Sequence, residues 1–177
     1  MHRLFVAIRP PRTMRERLLS VMGGVPGARW QSDDQLHLTL RFIGEVDRHR
    51  AEDAAAALGT IRHPRISLAL HGTGQFERRG RVVTLWAGVT PHPPLAALHK
   101  KIDQALIRTG LPPEGRAYFP HITLARFSSR SAPIARAGPA DNAFSDAPEE
   151  IREYYLFEST LGSEGASYSV VDRYRLD

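Results

Sequence analysis

The chain has 177 residues, which is enough for one domain with a hydrophobic core of its own. It contains no cysteine, which excludes disulfides, thiol nucleophiles and cysteine-based metal sites. No apolar run approaches the roughly 18 residues of a membrane span, and prolines interrupt the N-terminal stretch too early for a signal peptide, so we expect a cytoplasmic protein that does not enter membranes. The net charge of +5 comes mostly from arginine, which is consistent with a polyanionic partner or with the codon bias of a GC-rich genome.

The first part of the chain predicts strands and helices in alternation. Apolar runs predict strands over residues 4–8 and 36–43. A helix is predicted over about 11–22, because prolines suit a first helical turn and two glycines follow its end. An alanine-rich helix is predicted over about 48–61, with Asp47 as its N-cap.

The rest of the chain is richer in strands. Apolar patterns predict strands over 66–70 and 82–89, joined by a hairpin turn at residues 78–81. Trp86 lies within an apolar run and is predicted to be part of the core. The order of elements predicts an α+β fold with a largely antiparallel sheet, and the absence of a long linker predicts a single domain over residues 1–177. The remaining predicted elements are a helix over about 93–109, strands over 121–127, 151–161 and 168–176, and a polar loop over 128–147.

One segment of the sequence occurs twice. His-Leu-Thr-Leu-Arg-Phe over residues 37–42 matches His-Ile-Thr-Leu-Ala-Arg-Phe over residues 121–127, with one residue inserted. Each copy follows a predicted helix and a turn. The repeat therefore predicts two pseudo-symmetric lobes of antiparallel sheet with flanking helices, and a cleft between the lobes.

Strand geometry predicts the same arrangement of side chains in both copies. Alternate side chains of a strand point to the same face, so His37 and Thr39 share one face while the leucines between and after them anchor in the core. His121 and Thr123 repeat this arrangement. One such pair is ordinary in a strand, but two pairs facing each other across a cleft form a candidate active site.

Two opposed imidazoles suit the cleavage of a phosphodiester. The reaction needs one proton taken from the attacking oxygen and one given to the leaving oxygen, and these oxygens lie on opposite sides of phosphorus. Histidine, with an ordinary pKa of about 6.5, can serve as either the base or the acid near neutral pH. The two threonine hydroxyls can hydrogen-bond the non-bridging oxygens and hold the phosphate in line.

The paired His-x-Thr-x (HxTx) motifs resemble those of the 2H phosphoesterase superfamily. Within it, the chain looks like the RNA 2′,3′-cyclic phosphodiesterases, also called 2′-5′ RNA ligases. The resemblance extends over nearly the whole chain. The similar segments are the opening strand at 3–11, Trp30 with the first motif at 36–44, a central strand at 85–89, the second motif at 119–126 and a closing hairpin at 159–168.

The resemblance implies a role for each site residue. His37 is implied to be the proton donor to the leaving 3′ oxygen, and His121 to be the proton acceptor that activates water. Thr39, Thr123 and Arg126 are implied to bind the phosphate. The resemblance also implies hydrolysis of RNA 2′,3′-cyclic phosphate ends to 2′-phosphomonoesters, with reversible ATP-independent 2′-5′ ligation when a 5′-hydroxyl attacks instead of water. No metal and no cofactor are expected.

The arginine beside the phosphate does not follow from strand geometry alone. Strict alternation places Arg126 on the face opposite His121, so a bulge or a strand end is needed to bring it to the phosphate. Arg41 has the parity of His37 and is a second candidate for the same role.

Other functions and contacts stay open at this point. The same site suits the cleavage of 2′-5′-linked oligonucleotides or of nucleotide cyclic phosphates. It also suits a module that binds RNA ends without turnover. In each case we expect a monomer. The turn at residues 78–81 is either a solvated hairpin tip or a contact for the RNA backbone. The aromatic residues that are candidates for stacking on a base are Trp30, Tyr118, Phe119 and Tyr168.

Overall fold

A computed structural model of the protein describes residues 1–133 and 146–177. These residues form nine strands, three α-helices and one 3₁₀ turn, which confirms the predicted α+β class. No helix among them is both long enough and apolar enough to cross a membrane. The elements are β1 (His2–Ile8), α1 (Arg12–Val21), β2 (Arg29–Trp30), the 3₁₀ turn (Asp33–Gln35), β3 (Leu38–Val46), α2 (Arg48–Leu58), β4 (Ile66–Arg78), β5 (Arg81–Thr90), α3 (His92–Arg108), β6 (His121–Arg126), β7 (Glu149–Ile151), β8 (Glu153–Gly162) and β9 (Gly165–Arg175).

The predicted strands and helices are present, with boundaries that differ by a few residues in most cases. Asp47 caps α2 as expected, because its carboxylate accepts a hydrogen bond of 2.8 Å from the backbone N–H of Arg50. The largest difference is β4, which continues eight residues past its predicted end to Arg78. The short strands β2 and β7 were not predicted. Of the loop predicted over 128–147, residues 134–145 lie outside the described part of the chain.

The strands form one antiparallel sheet built from two similar halves. Its order is β7-β4-β5-β6-β3-β1-β8-β9, and β2 pairs with β6. We call the strands β3, β1, β8 and β9 the His37 half, and β6, β5, β4 and β7 the His121 half. The halves meet where Leu38 of β3 pairs with Ile122 of β6. Each half thus contributes one motif strand to the centre of the sheet and three further strands outside it, as the internal repeat predicts.

One hydrophobic cluster underlies both halves of the sheet. Leu38 and Ile122 are fully buried in it, together with apolar residues from all three helices. The helices therefore cover the sheet face that carries these two side chains. The opposite face of the same strands carries the histidines and threonines of the repeat, since alternate residues of a strand point in opposite directions.

A β-bulge occurs at the same place in each motif. In the His37 half, Thr39 and Arg41 pair with consecutive residues of β1, so Leu40 is the extra residue. In the His121 half, Thr123 and Ala125 pair with consecutive residues of β5, so Leu124 is the extra residue. A bulge reverses the alternation of side chains that follow it. The bulges therefore decide which later side chains reach the face with the histidines.

Candidate active site

The central strand pair brings both histidines and both threonines together. Leu38 pairs with Ile122 in antiparallel register. Because the two strands run in opposite directions, the adjacent positions place His37 across from Thr123, and Thr39 across from His121. All four side chains are partly exposed, whereas Leu38 and Ile122 are fully buried beneath them.

Each imidazole is oriented by the same backbone contact. The Nδ1 atom of His37 lies 2.7 Å from the carbonyl oxygen of Gln35, and the Nδ1 atom of His121 lies 2.8 Å from the carbonyl oxygen of Phe119. A carbonyl only accepts hydrogen bonds, so Nδ1 carries the proton in both rings. Nε2 is then the atom of each ring that can take up or release a proton.

His37 is enclosed by aromatic rings and positive charge. The centroid of the Phe5 ring lies 4.9 Å from the imidazole centroid, and that of Tyr168 lies 5.2 Å away with the two rings nearly perpendicular. Burial is the largest cause that lowers the pKa of His37 to about 4. The hydrogen bond to the Gln35 carbonyl raises this pKa, and the charges of Arg126, His121 and Arg9 lower it. His37 is therefore neutral at pH 7 when the site holds no anion.

His121 lies in a similar aromatic enclosure that is more open. The centroid of Phe76 is 4.9 Å from the imidazole, and those of Phe119 and Trp86 are 6.0 and 6.2 Å away. Burial is the largest cause that lowers the pKa of His121, and Arg126 lowers it as well, while the hydrogen bond to the Phe119 carbonyl raises it. The positive charge of Arg126 therefore reaches both imidazoles.

The bulge at Leu124 resolves the difficulty with Arg126. It reverses the alternation after Thr123, so Arg126 emerges on the face that carries the histidines. Its side chain is exposed. No carboxylate in the part of the chain that the structure describes forms an ion pair with it. A guanidinium in this setting suits the binding of an anion.

Arg41, the second candidate for binding the phosphate, does not lie on the face that carries the histidines. The bulge at Leu40 turns it towards the helix-covered side, where it is 5% exposed. Its Nε donates to a carboxylate oxygen of Asp103 at 3.0 Å, and its other nitrogens donate to the carbonyls of Phe42 and Pro112. Arg41 therefore has a structural role, and the prediction that it serves the phosphate is wrong.

Trp86 also differs from its prediction as a core residue. It pairs with Thr123 and lies half-buried on the histidine face, with its ring over Gly74. A Cβ at Gly74 would lie 2.2 Å from this ring, so the glycine is required there. An apolar run has no alternation that would separate the two faces of the sheet, which is why the pattern misled.

Two of the four stacking candidates border the cleft. Phe119, which is 45% exposed, lies beside His121, and Tyr168 lies beside His37. Tyr118 stacks on His99 at 4.2 Å and lines a cavity with Thr39, while Trp30 packs against the main core and lines a cavity with Arg126.

Sequence reasoning missed Gln35 and Phe76. The signal for Gln35 was the repeat itself, since Gln35 and Phe119 both lie two residues before a motif histidine and both supply the carbonyl that orients it. Phe76 lies in the part of β4 that was not predicted. In residues 1–133 and 146–177, no three histidine, aspartate or glutamate side chains gather as metal ligands would.

Comparison with known proteins identifies the family. A model of the 2′-5′ RNA ligase superfamily matches residues 9–157. The RNA 2′,3′-cyclic phosphodiesterase of Escherichia coli is 32% identical over an alignment that covers 98% of this chain and 96% of that protein. The enzyme of the same name from Aeropyrum pernix is 36% identical, over 58% of each chain.

Solved structures agree with the sequence comparisons. A phosphoesterase crystal structure superposes with a TM-score of 0.83 at 30% identity, covering 99% of this chain and 98% of that one. E. coli LigT in complex with 3′-AMP superposes with a TM-score of 0.81 at 29% identity, with the same coverage. The family model covers well over half of the chain and the paired motifs lie within it. The protein therefore belongs to the 2′-5′ RNA ligase superfamily.

Proposed function

We propose that this protein is an RNA 2′,3′-cyclic phosphodiesterase that opens the cyclic phosphate to a 2′-phosphomonoester. The observation that carries the proposal is the pair of imidazoles on adjacent antiparallel strands, each with Nδ1 bound to a carbonyl and Nε2 left for proton transfer. A relative that aligns over nearly the full length of the chain is named for this activity, and one related structure is a complex with 3′-AMP.

The proposed reaction is an in-line displacement at phosphorus. His121 Nε2 takes a proton from water as the water oxygen attacks phosphorus. The bond from phosphorus to the 3′ oxygen breaks on the opposite side, and His37 Nε2 gives its proton to that oxygen. The product is a 2′-phosphomonoester with a free 3′-hydroxyl, and exchange with solvent restores the two imidazoles. Each proton transfer is worth about 10²–10⁴ in rate.

His37 must carry a proton to act as the acid, although its pKa is about 4 in the free protein. The bound substrate supplies the reason that it can. A phosphodiester anion beside the imidazole favours the charged form and offsets the repulsion from Arg126 and Arg9. We infer that substrate binding raises the pKa of His37.

Thr39, Thr123 and Arg126 are proposed to bind the phosphate. The two threonines lie across from the two histidines, so their hydroxyls can donate to the non-bridging oxygens. Arg126 would pair with the negative charge that these oxygens carry. The chain supplies every proton and charge that the mechanism needs, so we propose that the reaction needs no metal, cofactor or ATP.

The same site permits a second nucleophile. A 5′-hydroxyl that replaces water would give a 2′-5′ phosphodiester, with His121 taking the proton of the hydroxyl and His37 giving its proton to the leaving 3′ oxygen. We propose ligation as a secondary activity, because the cyclic phosphate already stores the energy of the new bond.

We further propose that residues 1–177 form one bilobal domain. The sheet passes from one half to the other through Leu38 and Ile122, and one core cluster contains residues from both halves, which supports this proposal. A monomeric state and a cytoplasmic location stay predictions.

Product analysis tests the proposal. Purified protein is incubated with each 2′,3′-cyclic nucleotide in excess chelator, and the phosphomonoester is identified by ³¹P NMR. We expect only the 2′-phosphate, at an unchanged rate when chelator is added. Formation of the 3′-phosphate, or loss of turnover in chelator, contradicts the proposal. Tight binding of RNA ends without any conversion would instead identify a binding module.

A further inference from the structure

An arginine-rich cavity adjoins the active site at its Arg126 end. It has a volume of about 670 Å³, and its lining among the described residues includes Arg78, Arg79, Arg81 and Arg126 but no aspartate or glutamate. Arg78 and Arg79 come from the tip of the β4–β5 hairpin, and Arg81 begins β5. We call these four residues the arginine groove.

The arginine groove concentrates positive charge, and no carboxylate among the described residues lines its cavity. Within the described residues, none of its four arginines forms an ion pair. Arg81 donates one hydrogen bond, to the carbonyl of Ala132. Two exposed arginines on the helices differ, since Arg12 pairs with Glu16 and Arg48 with Glu52. Four guanidinium groups around one cavity repel each other, so an anion in the cavity would relieve that repulsion.

The position of the groove relates it to the reaction centre. On β5, Trp86 pairs with Thr123 and Thr84 pairs with Arg126. Arg81 lies five residues from Trp86 along this strand, which corresponds to about 16 Å at ~3.3 Å per residue. Arg126 lines the groove and also lowers the pKa of both imidazoles. The groove therefore starts at the reaction centre and extends beyond the reach of a single nucleotide.

We propose that the arginine groove binds phosphates of the RNA strand on the 5′ side of the terminal nucleotide. This inference rests on the proposed function. An RNA that ends in a cyclic phosphate continues in one direction only, from the 5′ oxygen of its last ribose, so the strand must leave the site along one path. The planar forks of arginine match phosphate oxygens, and contacts to phosphates carry no sequence information. The preferred substrate is then an oligonucleotide of any sequence.

Substrate length provides the test. The kcat/KM of the wild type is measured on a 2′,3′-cyclic mononucleotide and on a short single-stranded oligoribonucleotide with the same terminal nucleotide. The variant Arg78→Gln/Arg79→Gln removes two charges from the groove and leaves Arg81 with its hydrogen bond to Ala132. Arg12→Gln/Arg48→Gln is the control, because it removes the same charge from two exposed helix positions.

We expect the wild type to favour the oligonucleotide and the groove variant to lose about tenfold of kcat/KM on it, as charge-assisted hydrogen bonds to phosphate predict. On the mononucleotide the groove variant should change less than about twofold, and the control should keep the preference for length. The slope of log kcat/KM against log salt should also become shallower, by about 0.7 for each phosphate that the variant no longer neutralises.

Two outcomes overturn the inference. Equal kcat/KM on both substrates in the wild type means that the groove does not bind the RNA on the 5′ side of the terminal nucleotide. Equal losses in the groove and control variants mean that only net charge matters. Failure of the proposed function would appear differently, because the wild type would then fail to convert the cyclic mononucleotide at all.

Discussion

The two halves of the sheet share a backbone design but differ in charge. In both, a histidine bonds through Nδ1 to the carbonyl two residues before it, and a bulge follows the threonine. After the bulge, the residue that returns to the histidine face is Phe42 in the His37 half and Arg126 in the His121 half. Phe42 is 47% exposed and stacks on Phe5.

The repeated backbone therefore sets the positions of the imidazoles, while single residue differences between the halves set the electrostatics. One half supplies a guanidinium that lowers the pKa of both histidines, and the other half supplies an aromatic surface. His37 is the more enclosed histidine, and its pKa of about 4 reflects that burial first. A pseudo-symmetric scaffold thus gives its two histidines different electrostatic environments.

Removing either imidazole should have the largest effect. We expect His37→Asn and His121→Asn each to lower kcat/KM by about 10²–10⁴, because each removes one proton transfer. The double variant should fall little further, since the two act as a unit. His49→Asn, at an exposed position of α2, is the control for the assay of cyclic nucleotide hydrolysis. A single variant within tenfold of the wild type would contradict the paired mechanism.

Arg126 and Phe42 provide the sharpest test of the difference between the halves. We expect Arg126→Gln to lower kcat/KM by about 10- to 100-fold, since a charge-assisted hydrogen bond to phosphate is removed. The matched change Phe42→Leu should cost less than about threefold, as for an exposed residue without a polar contact. Similar losses in both variants, measured by steady-state kinetics, would show that the arginine has no special role.

The pH profile should reflect both lowered pKa values. The reactive form has one protonated and one neutral imidazole, and the pKa of both imidazoles is lowered, to about 4 for His37. A lowered pKa means that the proton is lost at lower pH, so kcat/KM should peak on the acid side of about 6.5 and then fall about tenfold per pH unit. The kcat profile should lie at higher pH, because bound phosphate raises both pKa values.

Arg126→Gln should move that profile. Removing the guanidinium relieves a cause that lowers the pKa of each histidine, so the alkaline limb of kcat/KM should shift to higher pH even as its magnitude falls. An unchanged limb would show that Arg126 acts on binding alone.

Gln35 should affect His37 but leave His121 unchanged. Its side chain accepts from the Ser32 N–H at 2.9 Å and donates to the Ala166 carbonyl at 2.7 Å, which holds the carbonyl that orients His37. We expect Gln35→Ala to lower kcat by about three- to tenfold, as for loss of a neutral hydrogen bond. Imidazole NMR titration should show a changed pKa for His37 only. Equal changes in both rings would indicate a general loss of structure.

Arg41 should have the smallest effect on turnover and a clear effect on folding. Arg41→Gln removes a buried charge from Asp103, whose side chain is 19% exposed, so we expect the free energy of unfolding to fall by about 2–4 kcal/mol in urea titrations. The folded protein should keep its kcat/KM within about threefold. A large loss of kcat/KM in fully folded protein would indicate that Arg41 does contribute to phosphate binding.

The candidate site residues could be predicted because they lie in a local pattern that repeats. His37, Thr39, His121 and Thr123 follow from strand alternation over three residues, which needs no knowledge of the partner strand. Helix ends were also predictable, since Asp47 and the glycines act on their nearest neighbours.

The arginines and Trp86 could not be assigned in this way. A bulge depends on how two strands pair, and neither Leu40 nor Leu124 differs locally from any other strand leucine. The long end of β4 lacks a clear apolar pattern because its residues border the exposed cleft and the arginine groove. That end carries Phe76 and Gly74, so part of the site was missed with it.

The amino-acid sequence alone predicts the paired His-x-Thr strands and the α+β class, because side-chain alternation and helix capping are local effects. Only the tertiary structure decided which arginine reaches the face with the histidines, which aromatic rings enclose each imidazole and where four arginines gather around one cavity. These depend on register between distant strands, where one extra residue moves every following side chain to the other face.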